Sequence, residues 1–386
     1  MSINQLYQKN VPGITNLPRF VKLMNESIRK LELDLNGLVM LTEAASSNYI
    51  CTPIIAALSG SEKVFAYTRD SKYGKAKDII SNTEKLAEIV GVRGKIEFIE
   101  SLDTKIVEKA DIVTNLGFLR PITNEFIAKM KETAVIPLMR ETWEFREGEI
   151  DLKACYDKGV AVLGTNENHP QLMIFDYLGH LCAKKLYEMG IEILNSKIVV
   201  FGSGDFGLNI IKYLVKLGAD VKAMCDDEDE VIESLGAEKI GNLINKDFKL
   251  ESMLNADALI ITTYPNNIEV IGEKGLISVE KLKTICPGVS VIQIKGNLDR
   301  NNVKKGKIPL LPKIAPNYGY MSWTLNELGP KAVLDLHTGG LKVGEVMARA
   351  RLVKHSLDET IESVLDCTLL QDFSDEQKKR FVEEVA

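Results

Sequence analysis

Three glycines spaced Gly202-x-Gly204-x-x-Gly207 directly follow the apolar run Ile198–Phe201, and this pairing of strand and turn is where the chain could do chemistry. A buried parallel strand needs such a β-branched run, and it must turn sharply to enter a helix. Gly202 supplies the tight turn, Gly204 the room for a pyrophosphate to touch backbone, and Gly207 a close approach of helix to sheet. Free N–H groups around Ser203, Asp205 and Phe206 then hold phosphates, helped by the helix dipole. The spacing alone is common, but here its surroundings agree. Ile210, Ile211, Leu214 and Leu217 recur at helical spacing, Gly218 ends that helix, and Asp220–Cys225 begins a second strand. Asp226 and Asp227 follow, 19 and 20 residues past Gly207, where a carboxylate binds an adenosine ribose. Either acid repels a 2′-phosphate, which favours NAD over NADP.

Other candidates lie at strand ends. Thr263, Tyr264 and Pro265 leave the strand Ala258–Thr263, so they either edge a cofactor cleft or form an ordinary strand exit. Thr42–Ser46 and Thr68–Gly74 end strands of the first half in the same way. His337 is followed by Gly339 and Gly340, which would keep backbone close to a ligand, and histidine titrates nearest neutrality. His169 sits at a junction between the halves, and His180 lies inside a helix, where packing or capping suffices. No His, Cys or Asp cluster has zinc spacing, so no metal is expected.

Composition narrows the classes. The 386 residues are 45% hydrophobic and 26% charged, which points to two globular domains. A net charge of −6 with no basic stripe argues against nucleic acid and anionic membranes. No stretch reaches the ~18 apolar residues of a membrane span, and the N-terminus lacks a signal-peptide core. The six cysteines are far apart and mostly in apolar runs, which suits reduced thiols and a cytoplasmic location.

The elements that must position these residues alternate between strand and helix, giving an α/β fold with parallel sheets covered on both faces. Strands are expected at Gly37–Thr42, Lys63–Thr68, Lys95–Ile99, Asp111–Asn115, Ala134–Leu138 and Val160–Gly164. Asp78–Val90 and Asn124–Lys131 read as helices, the second with Thr123 as N-cap. Residues 171–190 read as one long helix, 304–319 as a loop, and Val343–Leu370 as helical. Residues 1–168, completed by 345–386, form a flavodoxin-like substrate domain. Residues 169–344 form a doubly wound Rossmann domain, and a central cleft between the two takes a small-molecule substrate.

The order of elements resembles the D-isomer-specific 2-hydroxyacid dehydrogenases, the formate/glycerate dehydrogenase-like group, over roughly residues 105–360. Four stretches carry the resemblance: Ala110–Asn124, Ile150–Asn166, Asn195–Gly207 and His337–Glu345. The last is similar to that family's histidine-x-glycine-glycine segment with its catalytic histidine. The resemblance implies hydride transfer between nicotinamide and the C2 of a 2-hydroxy or 2-oxo acid, with His337 as the proton-transfer group. It also implies a homodimer joined through the Rossmann domain.

The chain departs from that family at several points. The family's arginine belongs where this sequence has Gly296 or, with one deletion, Lys295, which carries the charge without a two-donor fork. Glu327 is the only glutamate between Lys295 and His337, and is the candidate partner of the histidine. The family's ribose aspartate falls at Cys225, so Asp226 is the better-placed acid and Asp227 the second. Where the family has a glycine-rich turn, this chain reads Arg140–Gly148, charged and aromatic. Either Arg140 or Arg146 there meets a larger or differently charged substrate, or the segment packs elsewhere. The expected function is an NAD-dependent oxidoreductase. The alternative is an NAD-binding protein without net redox turnover, either adenosylhomocysteinase-like or a non-catalytic regulatory partner.

Overall fold

The computed structural model describes residues 3–317, 319–353 and 356–383. It divides into two compact units, residues 1–173 with 329–386, and residues 174–328.

In the first unit the strands are β1 (Val39–Glu43), β2 (Lys63–Tyr67), β3 (Ile96–Ile99), β4 (Ile112–Val113), β5 (Val135–Pro137) and β6 (Ala161–Thr165). They run parallel in the order β6-β5-β4-β1-β2-β3, and the short strand Leu370–Gln371 joins β6 antiparallel. β6 is buried at all five positions, as a strand covered on both faces must be. Thr123 caps its helix as expected, accepting from the Phe126 N–H at 3.4 Å.

The second unit holds β7 (Lys197–Phe201), β8 (Asp220–Met224), β9 (Glu238–Asn242), β10 (Asp247–Phe248), β11 (Ala258–Thr262), β12 (Ser290–Lys295) and β13 (Leu310–Leu311). Their order is β10-β9-β8-β7-β11-β12-β13, parallel except for β10 against β9. β11 and β12 are buried along their whole length. The doubly wound α/β class expected from the sequence is therefore the class observed.

Helix positions differ from expectation at the unit boundaries. The expected 171–190 helix spans Asp176–Glu188. The C-terminal helix begins at Pro330 rather than Val343 and runs 24 residues to Val353. Residues 329–344, expected in the Rossmann domain, consequently belong to the first unit. A separate helix, Leu357–Val364, follows under a Ser356/Glu359 capping box; residues 354 and 355 of the expected helix lie outside the described residues. The Pro330–Val353 helix crosses the first unit's core on a stripe of glycines. A Cβ on Gly340 would lie 2.6 Å from Met139 Sδ, and one on Gly344 would lie 2.9 Å from Ile112. Among the described residues no helix is long and apolar enough to cross a membrane.

Candidate dinucleotide site

β7 lies between β8 and β11, so the chain winds one way from β7 to β9 and the other way from β11 to β13. The carboxyl ends of β7 and β11 thus flank a switch point, where open α/β sheets leave a crevice. Three features of the glycine turn show that its residues fit a bound dinucleotide. A Cβ on Gly202 would lie 2.2 Å from Thr262 Cγ2, and one on Gly207 would lie 2.2 Å from the Gly202 carbonyl oxygen. Gly204, at φ +58°, has nothing within 4 Å of the same construction. Two glycines are thus demanded by packing, and the middle one faces open space at the start of the Gly204–Lys216 helix. The N–H groups of Asp205 and Phe206 lie in that helix's first turn, where amides have no partner within the helix.

The two aspartates part company here. The Asp226 N–H donates to Ser203 Oγ at 2.8 Å, and its carboxylate accepts from the Ile244 N–H at 2.9 Å and from Ser203 Oγ at 3.3 Å. Asp227 instead turns both carboxylate oxygens to the Gly204 N–H, each at 3.1 Å. The acid aimed at the glycine turn is therefore Asp227, and Asp226 is fastened to the loop around it. Side chains reverse direction residue by residue where β8 leaves the sheet, so a one-residue offset changes which acid faces the turn.

On the opposite side of the switch point, Thr263, Tyr264 and Pro265 leave β11 as the sequence predicts. Lys295 ends β12 and is fully buried, its ammonium 4.2 Å from the Tyr264 ring centroid and 5.0 Å from that of Phe206. Rings at this distance attract a cation. Gly296, at φ +114°, has no room for a side chain: a Cβ there would lie 2.4 Å from Thr263 Oγ1 and 2.8 Å from its amide nitrogen. Of the two positions the resemblance allowed for a cation, only Lys295 can carry one.

Two expected catalytic residues are placed otherwise. His337 is not in a ligand-facing loop; it is buried in the interior of the Pro330–Val353 helix. Its Nδ1 lies 2.6 Å from the Thr52 hydroxyl and its ring 5.4 Å from that of Tyr49. Burial lowers its pKa to about 4, so the ring is neutral near pH 7. Gly339, read as keeping backbone near a ligand, instead admits Leu172, whose Cδ1 would lie 2.8 Å from an added Cβ. Glu327 is engaged in the second unit, 2.5 Å from Lys185 Nζ and 2.9 Å from Lys184 Nζ. His337 and Glu327 thus each hold partners within their own unit. His180 stacks on Tyr213 at 3.9 Å between centroids, a packing role.

No protein-family model matches the chain, and no curated protein matches it in sequence. Solved structures do match in fold. A dipicolinate synthase chain from Bacillus subtilis aligns at TM-score 0.55 and 13% identity, over 83% of this chain and 99% of that one. Its counterpart from Bacillus halodurans, also a dipicolinate synthase, aligns at TM-score 0.51 and 14% identity, over 82% and 99%. The D-lactate dehydrogenase of Escherichia coli aligns at TM-score 0.46 and 13% identity, over 81% and 97%. These likenesses are of fold alone: the chain shares the α/β architecture of the two dipicolinate synthase chains.

Proposed function

We propose that the second unit binds a nicotinamide dinucleotide, NAD in preference to NADP, and that the protein is an oxidoreductase. Its substrate on this reading is a 2-hydroxy or 2-oxo acid, or a related carbonyl or alcohol. The observation that carries the reading is the glycine turn, cramped at Gly202 and Gly207 and open at Gly204. In this proposal the N–H groups of Asp205 and Phe206 receive the phosphates over the open Gly204, and Asp227, which accepts the Gly204 N–H, binds the adenosine ribose, with Asp226 and Ser203 holding that loop in shape. A bound nicotinamide supplies or accepts a hydride. Lys295 provides the positive charge for a substrate oxygen, and Tyr264 and Phe206 hold its ammonium in place.

Calorimetry with NAD and NADP tests the cofactor: NAD is expected to bind and to raise the melting temperature, and NADP to bind more weakly. Absorbance at the NADH band, followed across a panel of hydroxy and oxo acids, tests the chemistry. The engagement of His337 and Glu327 in other networks favours a second reading, in which the dinucleotide is held without net turnover. Thermal stabilisation by NAD with no absorbance change for any acid of the panel would select it.

A further inference from the structure

A second group of chemistry-bearing residues lines the carboxyl edge of the first sheet, and the dinucleotide reading does not use it. β1 sits between β2 and β4, so the ends of β1 and β4 flank the switch point of this unit. The hydroxyls of Thr42 and Thr114 bond across these strands at 2.9 Å, and buried Asn115 follows. Arg120, Arg140 and Arg146 converge on one carboxylate there. Glu149 accepts from Arg120 Nη1 at 3.0 Å, lies 3.5 Å from Arg146 Nη1, and pairs through its other oxygen with Arg140. Arg120 is tied down further, donating to the Asn115 side chain at 2.8 Å and to its carbonyl at 2.7 Å.

Three guanidiniums meet at Glu149, and Glu43, at the end of β1, is buried, accepts the Phe118 N–H at 2.8 Å, and has its pKa raised by that burial. Arg69 adds a further guanidinium, stacked 5.7 Å over the Phe118 ring. Two donors of this edge go unused: Arg140 Nε and Asn115 Nδ2 are both buried and have no hydrogen-bond partner. Buried donors in a structural ion-pair network are as a rule paired.

We infer that this edge is a binding site for a small organic acid carrying two or more carboxylates. The guanidinium fork matches a planar carboxylate with two parallel donors. The acid's oxygens would meet Arg140 Nε and Asn115 Nδ2. As a site it stands on the first unit by itself; as a determinant of substrate class it rests on the oxidoreductase reading.

The test titrates the full chain with tricarballylate, and with acetate as the single-carboxylate control, by calorimetry and thermal shift. Tricarballylate is expected to bind and to raise the melting temperature, while acetate at the same concentration does neither. Arg140→Gln should weaken tricarballylate binding by roughly 10- to 100-fold, the usual effect of losing a charge-assisted hydrogen bond, and Arg140→Lys by less. Because Arg140→Gln also strips a partner from Glu149, the Arg140→Gln/Glu149→Gln double variant, checked by circular dichroism, separates lost binding from lost folding. NAD heats measured on the same variants should stay unchanged. Equal response to both acids, no response to tricarballylate, or full affinity in the Arg140 variants overturns the inference. Absent NAD heats in the parent chain would sink the dinucleotide reading and leave this site standing.

Discussion

The two units wind their sheets the same way about a first strand, yet the turns that leave those strands are chemically opposed. β7 ends into Gly202-Ser203-Gly204, so the amides of Asp205 and Phe206 lie in the first turn of a helix. β1 ends in Thr42 and Glu43, and no glycine occurs from there until Gly60. Without glycine the first unit cannot bring bare backbone against a phosphate, and its polar groups at the same topological place are side chains, the arginines around Glu149. A switch point therefore fixes where a ligand is received, while the residues of the turn decide whether backbone or side chains receive it.

The sharpest way to break this contrast is to give the second unit a side chain where it has none. Gly207→Val places carbon 2.2 Å from the Gly202 carbonyl, so helix and turn must separate. A loss of about 3 kcal/mol of stability is expected, the upper end for overpacking, together with loss of NAD binding. Denaturant melts and calorimetry read both. A variant that keeps its affinity would show that the turn is not what binds.

Lys295 tests the other rim of that crevice. Lys295→Met keeps the bulk between Phe206 and Tyr264 and removes the charge. Turnover should fall roughly 10²- to 10³-fold, as when one electrostatic donor is lost from an active site, while NAD affinity stays close to that of the parent. Equal losses in both would make Lys295 a structural residue. A smaller effect separates the two aspartates. Asp227→Ala should weaken NAD roughly 10-fold or more, the usual cost of a hydrogen bond to a charged group, and should narrow the NAD preference over NADP. Asp226→Ala should act mainly through the loop it fastens, lowering the melting temperature while leaving the preference intact. The reverse ranking would return the ribose to Asp226.

Much of the second unit was legible because its signals are local. β-branched runs, a glycine triplet and a following helical periodicity all lie within about thirty residues, the length of one strand–helix–strand unit. What was hidden depended on contacts between distant parts of the chain. Gly339, Gly340 and Gly344 lower helix propensity and made His337 look like part of a loop, but packing against Leu172, Met139 and Ile112 outweighs propensity there. Gly329 and Pro330 marked the true start, since proline at the first helical position is favoured. The arginine edge gives no local pattern at all: Asn115, Arg120, Arg140 and Glu149 meet only because β4 and β5 are neighbours in the sheet.

His337 supplies the mildest test, and it bears on the same question of which unit holds the chemistry. Its pKa of about 4 in the fold lies below the ordinary ~6.5 of an unfolded chain. Below pH ~6.5 the unfolded state binds the extra proton, so this stabilising contribution is complete above that pH and drains away as pH falls toward 4. His337→Gln removes the proton site while keeping a polar partner for Thr52. Between pH ~7.5 and ~5.5 the parent should lose about 1 kcal/mol more than the variant, measured by chemical denaturation at each pH. Turnover at neutral pH should be unchanged, because the buried ring is already engaged by the Thr52 hydroxyl. A fall of roughly 10²- to 10⁴-fold, the usual contribution of an acid–base group, would instead put the proton transfer back in the first unit's long helix.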